Sequence, residues 1–313
     1  MKSISIIIPA YNEEKNILPV HAALNKVLTP LMGKYAFEIL FVNDGSRDNT
    51  LAEIEKLAQK DVMVKYIDFS RNFGKELATT AGINACTTDA CIMLDADMQH
   101  PVELIPEFIA RWEQGNDVVI GIRKENKSDG LIKKIGSKLF YKIINQITDV
   151  HIVPNATDFR LLDRNVMDEF NRFTEKNRMT RALIDWLGFR RDYIYFDAAE
   201  RLHGTASYSF WKLFGLALNS FVSLSLVPLK LAGYLGIFIT LISGTSGFYI
   251  LVGKYVFRTH FASTFSDAEN LAILILFLVG IILMSIGLLA LYVANIHGEV
   301  ISRPMYVIRK KKI

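Results

Sequence analysis

Apolar runs of strand length alternate with amphipathic segments through the first 122 residues of the chain. The alternation predicts helices over residues 13–28, 48–59, 74–85 and 101–114, and strands over residues 5–8, 37–42, 62–69, 91–94 and 117–122. Continuous apolar strands that are separated by amphipathic helices favour an α/β fold whose mostly parallel sheet is covered on both faces.

The second half of the chain departs from this alternation. Residues 133–145 form a basic amphipathic segment, and a loop containing residues 157–160 is expected after it. Residues 208–225 mix large aromatic side chains with Lys212 and small polar residues, which is typical of a helix in a membrane interface. A core helix of a soluble domain is the alternative interpretation of that segment.

Two long apolar stretches, residues 231–252 and 271–294, contain no Asp, Glu, Lys or Arg. Each is longer than the roughly 20 residues that a helix needs to cross the bilayer core, so we expect two transmembrane helices. A buried helical hairpin of a soluble domain is the alternative. Small residues such as Gly233 and Gly236 in the first stretch suit close helix packing in lipid and permit a homo-oligomer.

Basic residues are concentrated at the C-terminus, in the run 309–312, and the positive-inside rule places that tail in the cytoplasm. With two spans, the N-terminal domain lies on the same side. We therefore predict a cytoplasmic domain over residues 1–207, an interfacial helix over 208–228 and a membrane domain over 229–313. The expected location is the inner (cytoplasmic) membrane, with the lipid bilayer as a partner.

Composition narrows the function classes further. The chain is 51% hydrophobic and its formal net charge is only +4, so bulk charge gives no reason to expect nucleic-acid binding. The cysteines, Cys86 and Cys91, flank a short apolar strand and lack metal-site spacing, so we expect buried free thiols. The opening apolar run is too short for a secretory signal and fits a first strand better.

The candidate chemistry lies where the predicted strands end. Asp95 and Asp97 follow the fourth strand directly, and carboxylates at this spacing can share a hard cation with diphosphate oxygens. Ligands bind at the carboxyl ends of parallel strands, so Asp44 after the second strand and Arg123 after the fifth are expected at the same edge. Taken alone, an Asp-x-Asp pair is also common as a solvated turn, and the Asp44 segment could serve as a turn and helix cap.

Several motifs of other enzyme classes are missing from the sequence. There is no G-x-G-x-x-G after the first strand, no Walker A sequence, no H-E-x-x-H and no G-x-S-x-G. An Asp-x-Asp after a strand also occurs in haloacid-dehalogenase phosphatases. Those enzymes usually have Thr or Val at the next position, which is Met98 in this chain.

Five motifs in order resemble family 2 glycosyltransferases, and more narrowly the polyprenyl-phosphate glycosyltransferases of the bactoprenol branch. They are Ile-Pro-Ala-Tyr-Asn-Glu-Glu (8–14), Asn-Asp-Gly-Ser (43–46), Phe-Ser-Arg-Asn-Phe-Gly-Lys-Glu (69–76), Asp-Ala-Asp-Met-Gln-His-Pro (95–101) and Thr-Asp-Phe-Arg-Leu-Leu-Asp-Arg (157–164). The resemblance extends to the two C-terminal spans and implies a GT-A-like, Rossmann-type sheet. One departure is His100, where relatives usually have aspartate.

The resemblance also implies roles for individual residues. Contacts to the nucleotide base and ribose would come from Pro9, Tyr11, Glu13 and Asp44. Asp95 and Ala96 would line the ribose and diphosphate, and the metal, Mg²⁺ or Mn²⁺, would be held by Asp97 and Gln99, with Asp95 beside them. Phosphate contacts are implied for Arg123, Arg201 and a basic residue that is either Lys138 or Lys134. Asp158 would lie near the acceptor as the candidate base or as a residue that orients the acceptor.

The implied reaction is an inverting transfer of a sugar to undecaprenyl or another polyprenyl phosphate. UDP-glucose is the first candidate donor, and GDP-mannose, UDP-N-acetylglucosamine and UDP-formyl-aminoarabinose are alternatives. Residues 180–186 lack the Gln-x-x-Arg-Trp signature of processive synthases, which favours a single transfer. Hypotheses from other classes are a non-catalytic membrane scaffold that binds nucleotide and a metal-dependent phosphatase acting on lipid phosphates.

Overall fold

The computed structural model describes residues 1–124, 153, 155–176, 178–197, 267–301 and 303–313. The predictions for residues 133–145, Lys138, Arg201, the interfacial helix and the first apolar span lie outside these residues. The strands are β1 (Lys2–Ala10), β2 (Tyr35–Asn43), β3 (Val64–Phe69), β4 (Ala90–Met93), β5 (Val118–Arg123), β6 (Ala156–Asp163), β7 (Arg191–Phe196) and β8 (Ile308–Lys312). The helices are α1 (Ile17–Leu28), α2 (Thr50–Lys60), α3 (Lys75–Ala85), α4 (Ile105–Glu113), α5 (Arg164–Asn171), α6 (Thr180–Trp186) and α7 (Asp267–Val300), with 3₁₀ turns at Thr29–Leu31 and Val102–Leu104.

These strands form one sheet in the order β7-β5-β6-β4-β1-β2-β3-β8. The pairs β1–β2, β1–β4, β2–β3 and β5–β7 are parallel, so the predicted α/β class with a mostly parallel sheet is confirmed. Strands β4 and β5 both pair antiparallel with β6 and therefore run in the same direction. The carboxyl ends of β1, β2, β3, β4 and β5 consequently lie at one edge of the sheet.

Alternating side chains of the strands build a separate hydrophobic core on each face. On β1, Ile4, Ile6 and Ile8 belong to the core that contains residues of α1, α2 and α4. Ile7 points to the other core, which contains residues of α3, α5 and α6. Both faces of the sheet are therefore covered, as the continuous apolar strands predicted.

The prediction of a loop around residues 157–160 is wrong, because these residues lie inside strand β6. The charged residues Asp158 and Arg160 conceal the strand in the sequence, since an apolar pattern is expected for a central strand. Arg160 is fully buried, and its Nη1 contacts Oδ1 of Asp185 at 3.1 Å, which compensates the buried charge.

The basic C-terminal run, expected as a tail after the second span, forms β8 and pairs antiparallel with β3. The chain forms two compact units. The first contains residues 1–207 and 302–313, and the second contains residues 208–301. In the second unit, the apolar stretch 271–294 lies within helix α7. No candidate for a membrane-crossing helix was identified among the residues that the structure describes.

Candidate active site

Hydrogen bonds join the loops that follow β1 and β2. The Asp44 N–H donates to the Ala10 carbonyl at 2.9 Å, and the Asn12 N–H donates to Oγ of Ser46 at 2.9 Å. The Glu13 N–H donates to Oγ1 of Thr50 at 2.8 Å. The segments predicted to contact the nucleotide are thus held side by side.

Asp44 fixes the next loop along this edge, between β3 and α3. Its Oδ1 accepts from the Phe73 N–H at 2.7 Å, and its Oδ2 accepts from the Gly74 N–H at 2.9 Å and from Nδ2 of Asn72 at 2.8 Å. Burial raises the pKa of Asp44, although the two backbone N–H groups act against the rise. The carboxylate predicted to meet the donor therefore also organises the loop beside it.

Gly45 allows this loop to approach closely. Its φ is +62°, and a Cβ at this position would lie 2.2 Å from the backbone carbonyl carbon of Arg71. A larger residue would push the loop away from Asp44, because that contact is with backbone and not with a flexible side chain.

The Asp-Ala-Asp segment after β4 is a tight loop whose two carboxylate side chains are partly exposed. Ala96 is buried, and the Gln99 N–H donates to Oδ1 of Asp97 at 3.2 Å. Met98 adopts a left-handed φ of +62°, which is uncommon for a residue other than glycine. This loop holds the candidate metal ligands Asp95, Asp97 and Gln99 at the carboxyl edge of the sheet.

His100, the departure from the family pattern, supports this loop from inside the protein. Its Nδ1 accepts the Asp95 N–H at 3.1 Å, and its ring stacks on Phe159 with centroids 5.3 Å apart. Burial lowers the pKa of His100, even though Asp95 acts in the opposite direction. A neutral ring suits the observed bond, since a protonated Nδ1 could not accept the Asp95 N–H.

Lys75 connects the Asp95 motif to Asp158. Its Nζ lies 2.6 Å from Oδ1 of Asp95 and 2.7 Å from Oδ2 of Asp158. The other oxygen of Asp158, Oδ1, lies 3.2 Å from Nε of Arg181. Both oxygens of the candidate base are therefore paired with cations.

The ionisation of this cluster follows from its charges. Burial would lower the pKa of Lys75, but the carboxylates of Asp95 and Asp158 outweigh it and raise that pKa well above its usual value. Burial would raise the pKa of Asp158, but Lys75 and Arg181 hold it far below its usual value. Lys75 is charged and Asp158 ionised throughout the physiological range.

The remaining predicted residues that the structure describes lie along the same edge. Pro9 is the penultimate residue of β1, and Tyr11, the first residue after the strand, is 41% exposed. Arg123 ends β5, and its N–H donates to the Asn155 carbonyl at 3.1 Å, next to the start of β6. The positions of Arg201 and Lys138 are outside the described residues.

Lys75 and Arg181 belong to the site but were not predicted from the sequence. Lys75 lies in the third motif, residues 69–76, where the resemblance implied no role for it. Arg181 lies in residues 180–186, which were informative only because they lack the signature of processive synthases. The available signal was a lysine at the first position of a helix that follows a strand end. Only the tertiary structure brings it to Asp158, which is 83 residues away.

The residues present fit a divalent cation of the Mg²⁺ or Mn²⁺ type. The donor atoms are carboxylate and amide oxygens, which such ions prefer, and Asp95 already pairs with a cation, the Lys75 ammonium. No cluster of three or more His, Cys, Asp or Glu side chains suited to a metal occurs among the described residues. An ion held by one or two carboxylates plus substrate phosphates does not need such a cluster.

Comparison with known proteins shows the family of this chain. The family described as "Glycosyl transferase family 2" matches residues 5–170, which include every strand-end motif described above. The chain belongs to glycosyl transferase family 2. It is therefore a glycosyltransferase, and its mostly parallel α/β sheet is of the fold class that the resemblance implied.

Relatives from several organisms align with the chain over nearly its whole length. A bactoprenol glucosyl transferase of Shigella phage SfII is 37% identical over 307 residues, covering 98% of this chain and 97% of the relative. The uncharacterized glycosyltransferase sll0501 of Synechocystis is 38% identical over 305 residues, covering 97% and 94%. The uncharacterized glycosyltransferase YkcC of Bacillus subtilis is 37% identical over 306 residues, covering 98% and 93%.

Solved structures resemble the chain more distantly. S. aureus TarS 1–349 in complex with UDP-GlcNAc has a TM-score of 0.47 at 18% identity, covering 71% of this chain and 66% of that one. The mannosyltransferase PcManGT from Pyrobaculum calidifontis, in complex with GDP-Man and Mn²⁺, has a TM-score of 0.47 at 14% identity, covering 96% and 88%.

Proposed function

We propose that this glycosyltransferase transfers a hexosyl group, glucose from UDP-glucose in the first instance, to a polyprenyl phosphate. The observation that carries the proposal is the meeting of the Asp95 motif, Lys75, Asp158 and Arg181 at the edge where the Asp44 loop also lies. That arrangement suits a diphosphate donor beside an anionic acceptor. The polyprenyl acceptor and the glucosyl group are supported by the relative named a bactoprenol glucosyl transferase, which is 37% identical along nearly the whole chain.

In the proposed reaction an oxygen of the acceptor phosphate attacks C1 of the donor sugar. The bond between C1 and the diphosphate oxygen breaks, the nucleoside diphosphate leaves with the electron pair, and the anomeric configuration inverts. A phosphate monoester has its second pKa at about 6, so the attacking oxygen is largely ionised at neutral pH. The reaction therefore does not require a strong general base.

Asp158 acts in this mechanism by orienting cations. Both of its oxygens are paired, with Lys75 at 2.7 Å and with Arg181 at 3.2 Å, which leaves a poor base but a firm anchor. An ammonium and a guanidinium held in this way are already ordered before substrate binds. They can therefore bind the phosphates of donor and acceptor with a smaller loss of side-chain entropy. Arg123, at the end of β5, would add a further guanidinium for phosphate.

A divalent cation would be held by Asp97 and Gln99, with Asp95 beside them, and would supply neutralisation of the charge on the departing diphosphate. Asp97 is the principal carboxylate in this assignment, as the resemblance implied, and Asp95 also pairs with Lys75 through its Oδ1.

The acceptor's lipid tail motivates a membrane location, with the catalytic unit on the cytoplasmic face of the inner membrane. Residues 231–252 and 271–294 carry no charged side chains and are long enough to cross. The sheet supports the proposed topology, because β8 follows these stretches in the chain and pairs with β3 of the catalytic unit. Two crossings would return the chain to the side from which it left, in keeping with this pairing.

The test uses the full-length protein in detergent or nanodiscs with undecaprenyl phosphate and either Mg²⁺ or Mn²⁺. Labelled UDP-glucose, UDP-N-acetylglucosamine, GDP-mannose and UDP-formyl-aminoarabinose are supplied separately. We expect lipid-linked glucose and one UDP per glucose transferred, with inverted anomeric configuration. The metal-site variant Asp97→Asn should be inactive, and Glu103→Gln, which removes an exposed carboxylate outside the site, should retain activity.

Other outcomes would redirect the proposal. Transfer from a different donor would keep the chemistry and correct the sugar, whereas a retained anomeric configuration would exclude direct displacement. Release of inorganic phosphate without sugar transfer would favour the phosphatase hypothesis. Nucleotide binding without turnover under every condition would favour the scaffold.

A further inference from the structure

The C-terminal strand β8 reaches the donor side of the site through Arg309. Its Nε lies 2.7 Å from Oδ2 of Asp68, a residue with 0% exposure on β3. The other oxygen of Asp68 accepts from Nδ2 of Asn43 at 2.7 Å. Asn43 immediately precedes Asp44, so a chain of polar contacts joins the C-terminus to the loop predicted to hold the nucleotide.

Tyr306, just before β8, makes a second connection to the same loop. Its ring stacks on Phe69, with centroids 5.0 Å apart and planes at 16°, and Phe69 contacts Phe73 edge-on at 5.6 Å. The backbone N–H of Phe73 donates to Oδ1 of Asp44 at 2.7 Å. A polar and an aromatic route, independent of each other, therefore both end at Asp44.

These contacts exceed what closing a sheet edge requires. An edge strand can be covered by backbone pairing alone, and Lys310 of β8 pairs instead with Glu55 on α2 at 2.6 Å, away from Asp44. The Lys311 side chain has no hydrogen-bond or ion-pair partner among the described residues, so it offers a charge-matched control on the same strand.

We infer that Tyr306 and Arg309 are positioning residues for the donor subsite, which they serve by holding the Asp44 loop in its binding conformation. The inference rests on the proposed function, since it assumes a nucleoside diphosphate at Asp44. In the sequence, residues 208–301 separate the two parts of the catalytic unit, residues 1–207 and 302–313. The donor subsite is thus completed by chain that follows the proposed membrane segment.

The test measures UDP binding by calorimetry, in the presence of Mn²⁺, to the full-length protein and its variants. GDP serves as the second probe. We expect Arg309→Ala and Tyr306→Leu to weaken nucleotide binding by about fivefold or more, the lower end of typical coupling between sites. Arg309→Lys should recover part of the loss, Tyr306→Phe should keep the stacking and bind normally, and Lys311→Ala should bind as the parent does.

Steady-state kinetics separate positioning from general damage. The donor KM should rise in Arg309→Ala and Tyr306→Leu, while kcat at saturating donor and the acceptor KM stay within about twofold. Thermal melting verifies that each variant is folded at the assay temperature; if Arg309→Ala is not, Arg309→Gln provides the same comparison.

Each further result has a definite meaning. Folded Arg309→Ala and Tyr306→Leu proteins that bind nucleotide as tightly as the parent would overturn the inference, and so would an equal loss in Lys311→Ala. A parent protein that binds neither UDP nor GDP would instead remove the proposed donor, and with it the premise on which the inference rests.

Discussion

Replacing Lys75 by Met removes the ammonium that joins the Asp95 motif to Asp158. At 2.7 Å and an effective dielectric constant of about 20, one ion pair has a Coulomb energy of about 6 kcal/mol before desolvation is subtracted. The Lys75 side chain is 46% exposed and that of Asp158 is 23% exposed, so water screens the pair. The free energy of unfolding should therefore fall by about 1–2 kcal/mol. This value lies between the loss of about 0–1 kcal/mol for an exposed ion pair and that of about 3–5 kcal/mol for a buried one.

A double-mutant cycle with Asp158→Asn measures this coupling. At about 2–4 °C per kcal/mol for a domain of this size, each single variant should melt about 2–8 °C below the parent protein. The double variant should be less destabilised than the sum of the singles, by about 1 kcal/mol, because neither charge is then left without its partner. Lys56→Met, which breaks an exposed pair with Glu53 on α2, is the matched control and should change the melting temperature little.

Turnover provides a second measurement for the same variants. If Lys75 positions charge for the transferring group, Lys75→Met should lower kcat by about 100-fold, the size of effect seen when one preorganised electrostatic contact is removed. Lys75→Arg should restore part of it. Additive melting shifts together with near-normal kcat would refute the view that Lys75 couples the two carboxylates.

Three further predictions concern the remaining parts of the site. Asp97→Asn should lower the rate of metal-dependent transfer by about 100-fold or more, while its melting temperature stays near that of the parent. Normal turnover of this variant at saturating Mg²⁺ would contradict the metal role. Gly45→Ala should weaken nucleotide binding, because its Cβ would displace the Arg71 backbone; unchanged UDP affinity would show that the loop tolerates the shift. His100 has a lowered pKa when folded, so its contribution to stability is complete above about pH 6.5 and is lost as the pH falls toward the folded-state value. His100→Phe should therefore lose less stability than the parent between pH 7 and pH 5.5 in thermal melts, and parallel pH profiles would argue against a buried neutral ring.

Strand β6 shows why part of this fold could not be predicted from local pattern. Its neighbours β4 and β5 are mostly apolar, and the length of each apolar run is enough to predict a strand. β6 instead carries Asp158 and Arg160, and the charge of Arg160 inside the sheet is compensated by Asp185, 25 residues later. A pattern along the chain cannot reveal a charge that is compensated by a distant residue.

The amino-acid sequence by itself determined the strand and helix alternation of the first half, the carboxyl-edge placement of Asp44 and Asp95, and the family. These features are local, because apolar periodicity, turn residues and short motifs are each read within a few positions. The tertiary structure alone decided that Lys75 bridges Asp95 and Asp158, that His100 supports the Asp95–Asp97 loop from within, and that the basic C-terminus completes the sheet beside Asp68. Those contacts join residues up to 241 positions apart, and their geometry depends on the packing of the whole sheet.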